Sequence, residues 1–301
     1  MTVNLTAAAE FMATHARVLD RRRFDVLLGS GDAAGALSAL DAYRNPDGGY
    51  GWGLEPDLRS PESQPGAALH AFQVFEEIAP ESSRHAESLA GWLASVTLPD
   101  GGLPFSLPLS VRAGTAPWWS GDDHTTSSLQ ITAVTAAAAH RVASLAGHPW
   151  LARATRYCLD AIAALEERPH AYVLSFAVHF LDAVHAAEPE ARALLKRLAA
   201  FIPESGEIRV EGGTAGEKLT PLDFAPYPGR PARALFTPEQ IAADLDRLAA
   251  GQREDGGWTV EYATISPAGS LDWRGVVTVG AVTVLQRNGR LAMPGSAAPR
   301  I

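Results

Sequence analysis

A chain of 301 residues, 47% hydrophobic and 20% charged, is long enough to bury a sizeable core without cross-links. Its net charge of -9 argues against nucleic acid as the main partner, because phosphate binding needs a basic surface. The single cysteine, Cys158, excludes an internal disulfide framework and a cysteine-rich zinc site.

The chain opens with polar residues and reaches Arg21-Arg22-Arg23 through a mixed stretch, so no compact apolar signal region is read there. Apolar residues at three- and four-residue intervals predict helices over Phe24–Leu28 and Ala34–Tyr43. More apolar helices are predicted at Pro65–Ile78, Ser127–Val142, Ala171–Val184 and Val276–Arg287. Pro189–Phe201 and Pro238–Gly251 are apolar on one side only, with Arg192, Lys196, Glu239, Asp244 and Asp246 on the wet side. Helices apolar all round lie inside a structure and one-sided ones outside, so the sequence alternates outer and inner helices. Glu207–Val210 and Trp258–Tyr262 read as short extended pieces, and Gly212–Pro238, with Pro221, Pro226, Pro228 and Pro231, as a long loop in place of a fifth inner helix. The apolar run Ile131–Ala139 is too short to span a membrane, and the expected location is the cytoplasm.

Glycine turns punctuate these helices. They are Arg44-Asn45-Pro46-Asp47-Gly48-Gly49-Tyr50, Thr97-Leu98-Pro99-Asp100-Gly101-Gly102-Leu103, the degenerate Ile202-Pro203-Glu204-Ser205-Gly206-Glu207-Ile208, and Gln252-Arg253-Glu254-Asp255-Gly256-Gly257-Trp258. Their first glycines lie 53, 105 and 50 residues apart, so one turn of a period of about 52 is missing, near Gly147-His148-Pro149-Trp150. Units of this length cannot bury their apolar faces alone and stack on their neighbours. About six periods consume residues 1–301 as a single domain.

Gln252, Gly256 and Trp258 match the glutamine, glycine and tryptophan spacing repeated in triterpene cyclases such as squalene-hopene cyclase. The chain thus resembles a single alpha-alpha toroid of the terpenoid cyclase and protein prenyltransferase superfamily. The resemblance implies an all-α ring of inner and outer helices around a central cavity. The turns themselves read as architectural: the glycines permit positive backbone torsions, and the preceding acid bonds to free amides.

In such a ring, chemistry belongs where the inner helices begin. Trp52, Glu55, Asp57 and Arg59, then Trp118, Trp119, Asp122, Asp123 and His124, then Asp272, Trp273 and Arg274, occupy that position in sequence, with Asp223 and Tyr227 as a fourth group. Ser120-Gly121-Asp122-Asp123-His124-Thr125 resembles the acidic motif of class II terpenoid cyclases, in which an aspartic acid protonates an alkene. The match departs from the motif at Ser120, where the family carries an aspartate, and at His124, which precedes the threonine. The resemblance therefore implies Asp122, Asp123 and His124 as catalytic residues. It implies the other named residues as substrate-binding, in an acid-initiated cyclase or isomerase acting on a small hydrophobic isoprenoid. Alkene protonation needs a carboxyl kept protonated by a neighbouring carboxylate or a dry site, and aromatic faces to stabilise a carbocation.

The same aspartates are also good helix caps, Glu55 and Asp57 could pair with Arg59, and Asp272 could pair with Arg274. The alternatives are a non-catalytic binding or scaffolding toroid, or a lyase or glycan-processing enzyme at the same mouth with carboxyls drawn from Asp57, Asp123, Asp223 and Asp272. Zinc-dependent prenylation is disfavoured, because Cys158 falls in an outer helix with no histidine spaced to share a metal with it. No cofactor is expected, and magnesium would enter only with a diphosphate-bearing substrate. The sequence leaves the oligomeric state open.

Overall fold

The computed structural model describes residues 3–121 and 123–291. The described residues form an all-α protein. Helices α1 (Leu5–His15), α2 (Val18–Leu27), α3 (Ala33–Leu40), α4 (Pro65–Glu77), α5 (Arg84–Val96) and α6 (Leu129–Ala139) make up the first half. The second half contains α7 (Pro149–Ala163), α8 (Ala171–Val184), α9 (Pro189–Ala199), α10 (Pro221–Phe224), α11 (Pro238–Ala250) and α12 (Pro267–Arg287). Among the described residues the one sheet is a pair of two-residue strands, β1 (Ile208–Arg209) antiparallel to β2 (Lys218–Leu219).

The even-numbered helices pack in succession, α12 on α2, α2 on α4, α4 on α6, α6 on α8 and α8 on α10. The odd-numbered helices lie against them, α3 on α2 and α4, α7 on α6 and α8, α11 on α10 and α12. α6 shows why. Every residue from Ile131 to Ala139 is buried, and its five alanines and two threonines let α4, α7 and α8 approach closely on different sides. α7 and α11 instead bury one stripe, Trp150, Ala154, Cys158 and Ile162 on the former, Ile241 and Leu245 on the latter. Fully burying one large apolar side chain contributes roughly 1.5–3 kcal/mol, so the one-sided helices are held by their stripes rather than by helical propensity.

The glycine turns repeat one geometry. The Asp47 side chain accepts from Gly49 N at 2.9 Å, Asp100 from Gly102 N at 3.1 Å and Asp255 from Gly257 N at 3.1 Å. Ser205 does the same for Glu207 N at 3.2 Å. Gly48, Gly101, Gly206 and Gly256 all adopt positive φ, between 74° and 96°. The first three turns each abut an odd-numbered helix further along the chain: Gly48 faces Ser88 of α5, Gly101 faces Arg153 of α7 and Gly206 faces Gln240 of α11. Gly256 faces Ala7 of α1. Gln252 completes that last contact, its Oε1 accepting from Asn4 N and its Nε2 donating to Asn4 O, both at 2.8 Å.

Two sequence expectations need correction. The repeat lacking its glycine turn is not at Gly147, which precedes α7. The other turns all follow odd-numbered helices, and the equivalent position after α7 is the glycine-free connection 164–170. Trp258–Tyr262 is irregular backbone outside any sheet, and Trp258 N donates to Thr278 Oγ1 of α12. The last helix begins at Pro267 rather than Val276, capped by Ser266, whose hydroxyl accepts from Gly269 N. Asp272, Trp273 and Arg274 are therefore helical. The segment 212–238 has the predicted irregularity, broken by β2, α10 and a 3-10 turn at Pro231–Leu235.

Candidate functional site

The irregular stretch between the first glycine turn and α4 is fastened from three sides. Arg17, itself bound to Asp20 at 2.7 Å, donates to Gly53 O at 2.9 Å and Leu54 O at 3.1 Å. Ala116 N donates to Asp57 O at 2.8 Å, and Arg59 N to Thr115 Oγ1 at 3.0 Å. α12 passes so close that a Cβ at Gly269 would lie 2.9 Å from Pro56 O, which reserves that position for glycine. Trp52 sits at φ 56°, an uncommon backbone for a bulky residue, with its indole donating to Asn45 Oδ1 and its ring exposed.

These restraints turn Glu55 and Asp57 inward, where they are only 5% and 3% exposed. Glu55 Oε2 lies 2.7 Å from His70 Nε2 of α4, and Glu55 Oε1 accepts from Asp57 N at 3.1 Å. Trp273 Nε1, from the second turn of α12, donates to Asp57 Oδ2 at 2.7 Å. The Trp273 ring meets the His70 ring edge-on at 5.8 Å and the Tyr262 ring at 5.4 Å. Burial pushes the Asp57 carboxyl up to about 6; the Trp273 hydrogen bond opposes this, and neighbouring Glu55 adds to it. Burial, then Glu55 and Asp57, push the Tyr262 phenol well above its ordinary range, with Tyr172 and Glu217 adding to the effect. Glu217 is buried and accepts from Tyr172 OH at 2.9 Å. Two carboxyls and an aromatic cluster thus meet near the N-terminal ends of α4, α8 and α12.

No protein-family model matches the chain, and no curated protein matches it. Asp122 lies outside the described residues. Asp123 is exposed and closes a turn, accepting from Thr125 N at 2.9 Å, Thr125 Oγ1 at 2.9 Å and Thr126 N at 3.1 Å. Those bonds from Thr126 and Thr125 hold its pKa down at about 2, which suits a cap and not a proton donor. His124 Nδ1 is 2.8 Å from Ser106 O. Trp119 is buried, stacked on Phe105 at 4.7 Å over Gly66 at the start of α4, whereas Trp118 is exposed.

Arg59 pairs with Asp272 at 2.7 Å rather than with Glu55 or Asp57, and Arg274 pairs with Asp255 of the last glycine turn at 2.7 Å rather than with Asp272. Neighbours two to four residues apart in sequence are not the partners: residues 55–59 are not helical, and Asp272 and Arg274, two apart on α12, project to different sides of the helix. Asp223 accepts from Thr220 N and Oγ1 in a capping box, and Tyr227 lies under the Arg287 guanidinium at 4.5 Å, remote from Asp57 along α12. Sequence reasoning missed His70, Tyr262, Tyr172 and Glu217. His70 carried the readable signal, a lone imidazole on a predicted inner helix; Tyr262 and Glu217 carried none.

Among the described residues no group of three or more His, Cys, Asp or Glu side chains is set to hold a metal ion. Nor is any described helix long and apolar enough to cross a membrane.

Proposed function

We propose that the chain is an alpha-alpha toroid enzyme that carries out acid-initiated cyclisation or isomerisation of a small hydrophobic isoprenoid, with Asp57 as the proton donor. The observation that carries this reading is the Asp57 carboxyl, 3% exposed and raised to about 6 beside Glu55, under the indole of Trp273. The ring is supported by the succession of even-numbered helices and by the last glycine turn, which meets α1 as earlier turns meet α5 and α7.

In this reading burial, by disfavouring the charged form, keeps about a tenth of Asp57 protonated at pH 7 and more below pH 6, and that acid form transfers its proton to an alkene carbon. Trp273 holds the carboxyl in one orientation and favours the carboxylate left behind. The rings of Trp273, Tyr262 and Tyr172 stabilise the cation, which then loses a proton from a neighbouring carbon to the Asp57 carboxylate, forming the product alkene and restoring the acid. Glu55, tied to His70, keeps a second carboxyl beside Asp57 and so sustains its raised pKa.

The test is incubation with linear isoprenoids in D2O, with products read by mass spectrometry. Protonation at carbon incorporates solvent deuterium. Wild type and Asp123→Asn should incorporate it and Asp57→Asn should not. Absence of incorporation in wild type, or its survival in Asp57→Asn, overturns the assignment.

One observation favours a second reading. Buried Glu217 acts on the same Tyr262 as Asp57, so carboxyls approach the ring from two segments, an arrangement open to glycoside chemistry. Hydrolysis of aryl glycosides that is lost in Glu217→Gln would select it.

A further inference from the structure

Trp273 and Arg287 lie fourteen residues apart on α12, about 21 Å of helix. At the Arg287 end a cleft of about 350 Å³ opens, walled by Glu76, Arg141, Tyr227, Pro228, Arg230 and Arg287. Small-molecule sites begin near this volume. Its three guanidiniums come from separate elements: the end of α6, the loop after α10 and the end of α12.

Their counterions are unequal to them. Arg230 is anchored, Nε donating to Asp182 Oδ2 at 2.8 Å and Nη2 to Asp182 O at 3.0 Å. Arg141 Nη1 is 3.8 Å from Glu76 Oε2, too far for a hydrogen bond. Arg287 is exposed and rests over the Tyr227 ring at 4.5 Å. Burial pushes the Glu76 pKa up, against the opposing pull of Arg141, Arg287 and Arg230, so the one carboxylate is shared among all three guanidiniums.

Behind the cleft, a small void shares the walls Arg141, Tyr227 and Arg230 and reaches His179. His179 Nε2 is buried there with no hydrogen-bond partner. Burial lowers its pKa to about 4, so at neutral pH the ring is an uncharged polar group facing a cationic cleft. A buried polar atom without a partner is costly and points to something that binds there.

We infer that this cleft binds the phosphate group of a small phosphorylated molecule, with Arg141 and Arg287 on its oxygens, Arg230 adding charge and His179 bonding the innermost atom. Guanidiniums arriving from three directions suit a tetrahedral anion with several oxygens, whereas a planar carboxylate is matched by one bidentate fork. The inference is independent of the role given to Asp57.

Calorimetric titration of the full chain with inorganic phosphate, pyrophosphate and acetate tests it. Wild type should bind phosphate or pyrophosphate saturably and acetate more weakly. Arg287→Ala and Arg141→Gln should each weaken binding about tenfold or more, Arg287→Lys should weaken it less, and Arg156→Gln, which breaks a surface pair with Asp160 and Glu190, should leave it unchanged. Arg287 is exposed, so its replacement decides the matter even if Arg141→Gln unfolds. The proposal is overturned by an absence of saturable binding up to about 10 mM, by equal affinity for acetate, or by affinity unaltered in Arg287→Ala.

Discussion

Trp273 donates its indole N–H to Asp57 across 216 residues of sequence, at 2.7 Å, and so joins the last helix to the segment that follows the first glycine turn. This bond is the main brake on a carboxyl whose burial would otherwise carry it higher still. Trp273→Phe keeps an aromatic ring and removes the donor. The Asp57 pKa should then rise above about 6, read by carboxyl-carbon NMR titration against Asp57→Asn as the assignment control. An unchanged or lowered pKa would show that Trp273 does not tune this acid.

The same group gives stability a pH dependence of defined sign. Its folded pKa of about 6 stands above the ordinary 3.8, so the folded state holds more protons than the unfolded state between those values. Its contribution therefore falls as pH rises from about 4 to 6, by roughly 2–3 kcal/mol at most, and stays low above that window. Subtracting Asp57→Asn unfolding free energies from wild type over pH 4–8 should isolate this downward slope. A flat difference curve would count against the raised pKa.

Gln252 grips Asn4 through both atoms of its amide. Its Nε2 also donates to Gly256 O at 2.9 Å, so Gln252→Ala should cost about 1.5–3 kcal/mol, the net worth of three hydrogen bonds, in denaturant unfolding. Amide exchange in Leu5–His15 should accelerate more than in α6, since α1 is the element released. Uniform acceleration throughout would instead indicate a global loss.

Gly256 has φ 91°, and a Cβ there would overlap the Ala7 carbonyl of α1. Gly256→Ala should destabilise by roughly 2–4 kcal/mol, combining backbone strain with displacement of the helix. Gly121 has φ -61° and open space around it, so Gly121→Ala is the neutral comparison. Similar melting temperatures for the two variants would remove the steric account of the last turn.

Cys158 is fully buried on α7, and burial drives its thiol pKa up. It should resist a thiol-specific reagent in native protein and react once in denaturant; rapid native labelling would place α7 differently.

The sequence by itself determined the helical class, the alternation of buried and one-sided helices, and the glycine turns with their acid-to-amide bonds, because these depend on periodicity and on local backbone chemistry. It also named Glu55, Asp57 and Trp273, since acids and tryptophans beside the starts of apolar helices are visible in one dimension. Only the tertiary structure decided how they are used. Asp123 is held ionised by Thr126 and Thr125, three and two residues on, whereas Asp57 is raised by burial under a helix some 200 residues later in the chain. The partners of Arg59 and Arg274 were likewise set by the path of α12, not by adjacency. Burial and long-range proximity fix a carboxyl's proton affinity and an arginine's counterion, and neither quantity is written in local spacing.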